Sequence, residues 1–275
     1  SLSSVASTVF RFSTHWSRRM LCVSARPPFL SCLHFLSPRK PLLQRFRPYT
    51  PSPPSNSPIK MATQIVEHIV LFKVKPDTDP SKIDSMVNGL NGLNSLDLVL
   101  HLTVGPLHRT RSSSLSFTHM LHSRYKSKDD LSSYSAHPNH VNVVSESVRP
   151  ICDDIMAVDW IVDDLTGPVV PRPGSAMRVT FLKLKEGLGD KEKEEVLGVL
   201  KERFGSVDQL SSGENFSPAR AKGFTIGSIA IFPGLSELEA LDSNAELVNS
   251  QNEKLRDLLE SVIVLDYVIP SPQSA

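Results

Sequence analysis

A tyrosine and three histidines in this chain have residue types and a spacing that suit a small polar site. Tyr134, His137 and His140 fall within seven residues of one another, and His68 lies on an earlier apolar run. A neutral imidazole can accept a proton, and the N-terminus of a helix disfavours its charged form. If a helix begins at Pro138, His140 therefore suits a general base that faces outward from the helix start. Tyr134 could then hydrogen-bond a phenol or carbonyl oxygen.

Other interpretations of these residues stay open. His137 could cap a break between two helices while Tyr134 and His140 only fill space, and His68 could be a structural histidine on an apolar strand face. A metal site has less support, because His137 and His140 are three residues apart but no carboxylate or cysteine completes a ligand set. We assign no role to His101, His108 and His122.

The first 61 residues are predicted to lie outside the folded body. Residues 1–66 contain no Asp or Glu but nine Lys or Arg, and residues 1–60 contain twelve Ser and nine Pro. This composition cannot pack a core and matches an organellar transit peptide, which would direct the protein to a plastid or mitochondrion. Alternatively, Met61 is the true start and the protein is cytoplasmic. The peroxisome is a further alternative, although the C-terminal segment Pro270–Ala275 lacks a Ser-Lys-Leu type ending that would support it.

From Glu67 onward the chain is acidic. This part has 21 basic and 29 acidic residues, a formal net charge of −8, whereas nucleic-acid binding needs a concentrated basic face. We therefore expect no nucleic acid partner. No apolar run reaches the ~18 residues of a membrane span, and Cys152 is the one cysteine after the leader, which excludes a disulfide framework within the body.

The body consists of two related halves on either side of a Pro- and Gly-rich linker, residues 163–176. Val158-Asp159-Trp160 is matched by Leu265-Asp266-Tyr267 at an offset of 107 residues. Residues 68–75 match residues 178–185 at an offset of 110. We therefore divide the body into a first repeat, residues 65–162, and a second repeat, residues 177–270.

Each repeat is predicted to run strand, helix, strand, strand, helix, strand. Ile65–Lys75 is apolar on both faces, as a covered strand is. Asp79 before Pro80 is typical of a helix start, and Pro138 should end one helix and begin another. Helices on one side of a sheet leave its other face uncovered, so two repeats that face their sheets together would close an α+β barrel within one chain.

Several segments resemble the plant stress-response A/B barrel domain, also called the dimeric α/β barrel. They are His68–Lys73, Phe117–His119, Ser127–Tyr134, His137–His140 and Val158–Trp160. The resemblance is clear over about residues 65–162 and fainter over 177–270, and its specific part is His-Pro-x-His with the preceding Tyr. It implies two ferredoxin-like βαββαβ repeats that form an intramolecular dimeric α/β barrel, an internal pseudo-dimer, with a further homodimer of whole chains left open.

The resemblance also implies a set of site residues. In olivetolic acid cyclase, a relative that closes a linear polyketide by aldol condensation, the essential residues correspond to His140 and Tyr134, and a first-strand histidine corresponds to His68. His140 would remove the proton α to a carbonyl and Tyr134 would orient the substrate oxygen, with no cofactor required. The candidate ligand contacts beside them are His137, Phe72 and His119.

A magnesium ion is a candidate cofactor on the same basis. Some members of the family hold Mg²⁺ through backbone carbonyls at the end of the first helix. The matching carbonyls here belong to Leu93, Leu96 and Val99, although the sequence of this segment departs from those members.

The second repeat lacks all of the site residues. His68 is replaced by Arg178, Tyr134 by Leu241, His137 by Asn244 and His140 by Leu247. We expect Leu241 and Leu247 to fill the corresponding cavity, so that the second repeat is a scaffold.

Three functions follow as hypotheses. The chain is a stress- or defence-associated protein that binds a small hydrophobic molecule in one pocket of its first repeat, or a cofactor-independent enzyme resembling a polyketide cyclase, or a non-catalytic structural or partner-binding barrel. The first two require a cavity behind Tyr134 that is lined by His68 and His140, whereas the third predicts a filled barrel. Resemblance of fold alone does not decide among them.

Overall fold

The computed structural model describes residues 64–112, 115–204, 207–243 and 253–271, so the predicted leader, Asn244 and Leu247 lie outside the described residues. The strands are β1 (Ile65–Val74), β2 (His101–Pro106), β3 (Arg109–Ser112), β4 (His119–Tyr125), β5 (Cys152–Val162), β6 (Ala176–Leu184), β7 (Gln209–Glu214), β8 (Ile226–Phe232) and β9 (Leu259–Val268). The α-helices are α1 (Pro80–Gly92), α2 (Lys128–Ala136), α3 (Pro138–Val143), α4 (Asp190–Phe204) and α5 (Leu235–Ser243). None of the helices in these ranges is long and apolar enough to cross a membrane.

The helix starts follow the polar residues that precede them. The Asp79 carboxylate accepts a hydrogen bond from the Ser81 amide at 2.8 Å, and Pro80 occupies the first turn of α1. The Ser127 hydroxyl accepts one from the Asp130 amide at 3.0 Å at the start of α2. These caps satisfy amides that have no partner within the helix.

The strands form two antiparallel sheets. The first sheet has the order β2-β4-β1-β5 and the second β3-β9-β6-β8-β7. His68 lies opposite Asp159 in the first sheet, and Arg178 lies opposite Asp266 in the second, so the two repeats correspond in register as well as in sequence. The predicted α+β fold of two ferredoxin-like repeats is confirmed.

Strand β3 is the one described strand that the sequence did not predict. It belongs to the first repeat, but it pairs with β9 of the second repeat from Arg109 opposite Asp266 to Ser112 opposite Ile263. In return, the chain after β7 reaches the last strand of the first repeat, where the Phe216 amide donates to the Asp159 carbonyl at 2.9 Å. The first repeat therefore adds a strand to the sheet of the second, and the second repeat is joined back to β5 by this hydrogen bond.

The space between the two sheets is packed with apolar side chains, including Ile69, Met156 and Val158 from the first sheet and Val179, Phe181 and Ile229 from the second. Aromatic residues at matching positions join the halves. The Trp160 indole donates to the Ser211 hydroxyl at 2.9 Å, and the Tyr267 hydroxyl is 2.9 Å from that of Thr103. The described part of the barrel interior is packed in this way, as the structural hypothesis required.

One end of the barrel interior is polar and fully buried. Glu67 accepts hydrogen bonds from His122 Nε2 at 2.7 Å and from the Arg124 guanidinium at 2.9–3.1 Å. Arg124 also donates to Gln209 Oε1 and to the Val169 carbonyl, both at 2.7 Å. Burial alone would raise the pKa of Glu67, but the Arg124 and His122 beside it hold that pKa well below its usual range. The cluster joins both repeats and the linker.

His101 is expected to make the protein sensitive to mild acid. Burial, with the charges of His122 and Arg124, lowers the pKa of His101 to about 2, whereas an unfolded histidine titrates near pH ~6.5. Below pH ~6.5 His101 becomes protonated in the unfolded state but stays neutral in the folded state. The free energy of unfolding therefore decreases as the pH falls from 6.5 towards 2. Between about pH 7.5 and 5 this one residue should cost about 2 kcal/mol of the free energy of unfolding.

Urea unfolding at the two pH values measures this effect. Over the same pH interval, the free energy of unfolding of the variant His101→Phe should decrease by about 2 kcal/mol less than that of the wild type. An equal pH dependence in the two proteins would contradict the assignment.

Candidate functional site

The predicted break between two helices positions the polar residues of the first repeat. Helix α2 ends at Ala136, His137 is extended with φ −63° and ψ 134°, and α3 begins at Pro138. His137 Nδ1 accepts a hydrogen bond from the Asn139 amide at 3.2 Å, so this histidine caps α3. The break itself is confirmed.

His140 does not face outward, contrary to the sequence expectation. It is half-buried, and its ring lies against that of Tyr134 with a centroid separation of 4.6 Å. The change of direction at His137 turns the first turn of α3 back over the end of α2, which brings the two rings together.

The hydrogen bonding of His140 fixes its tautomer. His140 Nδ1 is 3.0 Å from the Ser135 carbonyl oxygen, which can only accept, so Nδ1 carries the proton. Burial lowers the pKa of His140, more than the Ser135 carbonyl raises it. The imidazole is therefore neutral near pH ~7, and its Nε2 lone pair is available to accept a proton.

The Tyr134 hydroxyl supplies a hydrogen-bond donor beside the His140 ring. Its hydroxyl is buried without a hydrogen-bond partner of normal geometry among the described residues, although the hydroxyl of Tyr125 is near enough to affect its pKa. The rings of Tyr125 and Tyr134 are 5.2 Å apart. Burial raises the pKa of Tyr134, so the phenol stays protonated and can donate.

His68 is held by a carboxylate from the neighbouring strand. Asp159 accepts from His68 Nδ1 through one oxygen and from Arg220 Nη2 at 2.9 Å through the other. Burial would raise the pKa of Asp159, but His68 and Arg220 keep it below its usual value. This arrangement leaves Nε2 of His68 as the ring nitrogen that Asp159 does not engage.

These side chains meet at a cavity of about 480 Å³ between the first sheet and its helices, which we call the first cavity. His68, Tyr134, Ser135 and His140 supply its polar groups from the first repeat. Apolar side chains form most of the remainder, including Val70, Phe72, Leu90, Val144 and Ala157. The cavity that the ligand and cyclase hypotheses require is present, outside the filled barrel interior.

The second repeat also contributes to the first cavity, which sequence reasoning missed. Ala219, Arg220 and Lys222 line it, and Lys222 binds Asp154 at 2.9 Å. The missed signal was Asp159, a carboxylate within an apolar strand run, because a buried carboxylate requires a charged partner.

Of the three predicted ligand contacts, the structure places only Phe72 on the cavity wall. His137 is not in that lining, because its side chain is turned back onto the α3 backbone. His119 is at the far end of β4, where its Nδ1 lies 2.9 Å from the Thr118 hydroxyl. Neither histidine is placed to contact a ligand beside His140.

The predicted magnesium carbonyls lie in a tight turn after α1. The Leu93 carbonyl accepts from the Leu96 amide at 3.1 Å, and the Leu96 carbonyl accepts from the Val99 amide at 2.9 Å. In the described ranges, no group of three or more His, Cys, Asp or Glu side chains could hold a metal ion. Nothing in this geometry adds support for an ion, and magnesium stays a prediction.

The second repeat keeps a cavity where a filled site was expected. A space of about 600 Å³, the second cavity, lies between the second sheet and its helices and is lined by Arg178, the counterpart of His68. Leu241 is not among its described lining residues and packs on the apolar core of that repeat instead. The prediction that Leu241 fills this space is wrong, because the side chain turns into the core beside it.

Two α+β repeats that close one barrel and carry cavities on their helical sides define a tandem A/B barrel. Residues 66–162 and 177–269 each match the stress responsive A/B barrel domain, and the chain belongs to that family. One stress-response A/B barrel domain-containing protein of Arabidopsis thaliana is 60% identical over 212 residues, 76% of this chain and 80% of that protein.

A further relative agrees with this family, and a solved structure agrees with the fold. A second Arabidopsis thaliana protein, also described as stress-response A/B barrel domain-containing, is 50% identical over 211 residues, 76% of this chain and 99% of that protein. A solved structure from Fusobacterium nucleatum, described as a putative monooxygenase, covers 76% of this chain and 94% of its own, with 14% identity and a TM-score of 0.52. At that identity the likeness supports the fold alone.

Proposed function

We propose that the first repeat binds a small hydrophobic molecule in the first cavity and that the protein acts through this ligand in a stress or defence response. The observation that carries the proposal is the cavity of about 480 Å³, which lies within the range of about 300–1,000 Å³ of small-molecule sites. Its walls are mainly apolar, and its few polar groups converge from β1, α2 and α3 and from the second-repeat segment that carries Arg220 and Lys222. This combination suits a molecule with an apolar body and one or two oxygen atoms.

A second candidate function is cofactor-independent aldol cyclisation. It is favoured by the pairing of an unprotonated His140 Nε2 with a protonated Tyr134 hydroxyl that has no hydrogen-bond partner of normal geometry among the described residues. His140 would take the proton α to a carbonyl, and Tyr134 would donate a hydrogen bond to the carbonyl oxygen as negative charge develops on it. The carbanion would attack a second carbonyl of the same molecule, and the protonated His140 would return its proton to the alkoxide.

A combined binding and turnover screen tests both functions. The intact chain, His140→Ala and Tyr134→Phe are mixed with aromatic and linear polyketide compounds, and bound and converted compounds are measured. We expect an apolar compound that carries a carbonyl or phenol oxygen to bind the intact chain. Tyr134→Phe removes one hydrogen bond and should weaken its binding by about ten-fold.

The outcomes separate the candidates. Turnover that is lost in both variants would establish the cyclase, and binding without turnover would support the ligand-binding function alone. If all three proteins are equally folded by circular dichroism and none binds any compound, the first cavity is not a ligand site and the partner-binding barrel becomes the better hypothesis.

A further inference from the structure

The second cavity differs from the first in its charge. Four arginines line it, Arg111, Arg178, Arg203 and Arg256, against one described carboxylate, Glu260. Glu260 is itself paired with Lys183 at 2.7 Å. We infer that the second cavity binds a small amphiphilic anion, a carboxylate on an apolar body.

Three of the nearby arginines share two carboxylates. Arg178 binds Asp266 at 2.8 Å and Asp242 at 2.9 Å, and Arg109 and Arg111 bind the same two carboxylates at 2.7–3.2 Å. Three guanidinium groups on two carboxylates leave one positive charge without a counterion among the described residues. Arg178 and Asp266 are almost fully buried, so water screens the charge at this end of the cluster less than at the half-exposed Arg109 and Arg111.

Arg203 adds a donor with no described acceptor. It lies in the last turn of α4, and its Nε is buried without a hydrogen-bond partner in the part of the chain that the structure describes. Burial and the positive charge of Arg178 lower the pKa of Arg203, which shows that its surroundings oppose the charge it carries. A carboxylate in the cavity would satisfy this donor and balance the excess charge, and the flat guanidinium suits a carboxylate in particular.

Most of the remaining wall is apolar and favours a ligand with an apolar body. Leu182, Val199, Leu200, Phe204, Leu259 and Val264 face the same space of about 600 Å³. An inorganic anion would leave most of this surface without a contact, whereas an alkyl or aromatic body would bury it. The first cavity lacks this charge excess, because its cations Arg220 and Lys222 are paired with Asp159 and Asp154.

Two probes of equal length test the charge requirement. Dodecanoate and 1-dodecanol, each below the concentration at which it aggregates, are titrated calorimetrically into the full chain. We expect dodecanoate to bind at least about ten-fold more tightly than the alcohol, since a charge-assisted hydrogen bond in a buried site has that effect. Arg203→Gln should remove this preference by weakening dodecanoate about ten-fold while leaving the alcohol unchanged.

Matched variants locate the effect. Lys201→Gln removes the same charge from an exposed position of α4 and should leave both affinities unchanged. Val264→Phe, which puts a ring into the second cavity, should abolish dodecanoate binding and supplies a second test if Arg203→Gln does not fold. Ala157→Phe, at the matching position of the first cavity, should leave dodecanoate binding unchanged.

Three results would overturn the inference. The first is that dodecanoate does not bind the full chain. The second is that dodecanoate binds the wild type and Arg203→Gln with equal affinity. The third is that dodecanoate binding is lost in Ala157→Phe but kept in Val264→Phe. The last result would place the anion in the first cavity, so the inference can fail while the proposed function stands.

Discussion

Replacing Trp160 with alanine is expected to lower the free energy of unfolding by about 3–5 kcal/mol, as for other large aromatic side chains deleted from a core. Trp160 is completely buried and is the largest side chain in that state among the described residues. It extends from β5 of the first repeat into the second sheet, where its indole hydrogen-bonds Ser211. Its loss would leave a void where the repeats meet and an unpaired buried hydroxyl.

Two glycines make room for this ring. Gly213 and Gly227 lie opposite each other on β7 and β8, and a Cβ at Gly227 would be 2.5 Å from the Trp160 ring. Gly227→Ala should therefore destabilise the wild type by about 1–3 kcal/mol through overpacking. In the Trp160→Ala background the same change should cost little, because the ring that it would strike is absent.

Urea unfolding of the two single variants and the double variant measures this coupling. Tyr267→Phe is the control, since it keeps the matching ring of the second repeat and removes only its hydrogen bond to Thr103. That change should cost about 0.5–1.5 kcal/mol. Additive losses for Trp160→Ala and Gly227→Ala, or two separate unfolding transitions for the two repeats, would contradict the packing described here.

Much of the fold could be predicted from the sequence because its signals are local. The repeat is visible as matched segments, β1 as an apolar run, and the helix break as a proline in a helical pattern. Strand β3 could not be predicted, because Arg109–Ser112 is short and polar and is a strand only through its pairing with β9, more than 150 residues later.

The first site could be predicted in part. Tyr134, His140 and His68 do converge, but the direction of the His140 ring depends on how α3 folds back over α2, which no spacing rule gives. The role of Asp159 and the contribution of Arg220 depend on contacts between the repeats. Sequence comparison of the two repeats suggested that their sheets face each other but not where empty space would remain.

The second site could not be predicted for a related reason. In the sequence, Arg178 is interpreted only as the loss of the histidine found at position 68. A buried arginine requires carboxylate partners, however, and Asp266 lies at the position that corresponds to Asp159. Whether Leu241 enters this space depends on how it packs on the apolar core of the second repeat, which is a long-range property. Replacement of His68 by Arg178 therefore changed the charge of the site, and among the described residues Leu241 does not fill it.

The measurement that tests the central claim most directly compares matched cavity-filling variants. Ala157 and Val264 occupy equivalent positions in the two repeats and line the first and second cavities. Calorimetric titration of 2-acetylnaphthalene, a neutral aromatic ketone, into the wild type, Ala157→Phe and Val264→Phe reports where an uncharged apolar ligand binds. Thermal unfolding of each protein establishes that it is folded.

If the first cavity is the binding site for apolar molecules, Ala157→Phe should weaken ketone binding by about 100-fold or more, since the added ring occupies the space that the ligand needs. Val264→Phe should bind the ketone as the wild type does. Wild-type affinity in a folded Ala157→Phe, or loss of binding only in Val264→Phe, would contradict the assignment of ligand binding to the first repeat.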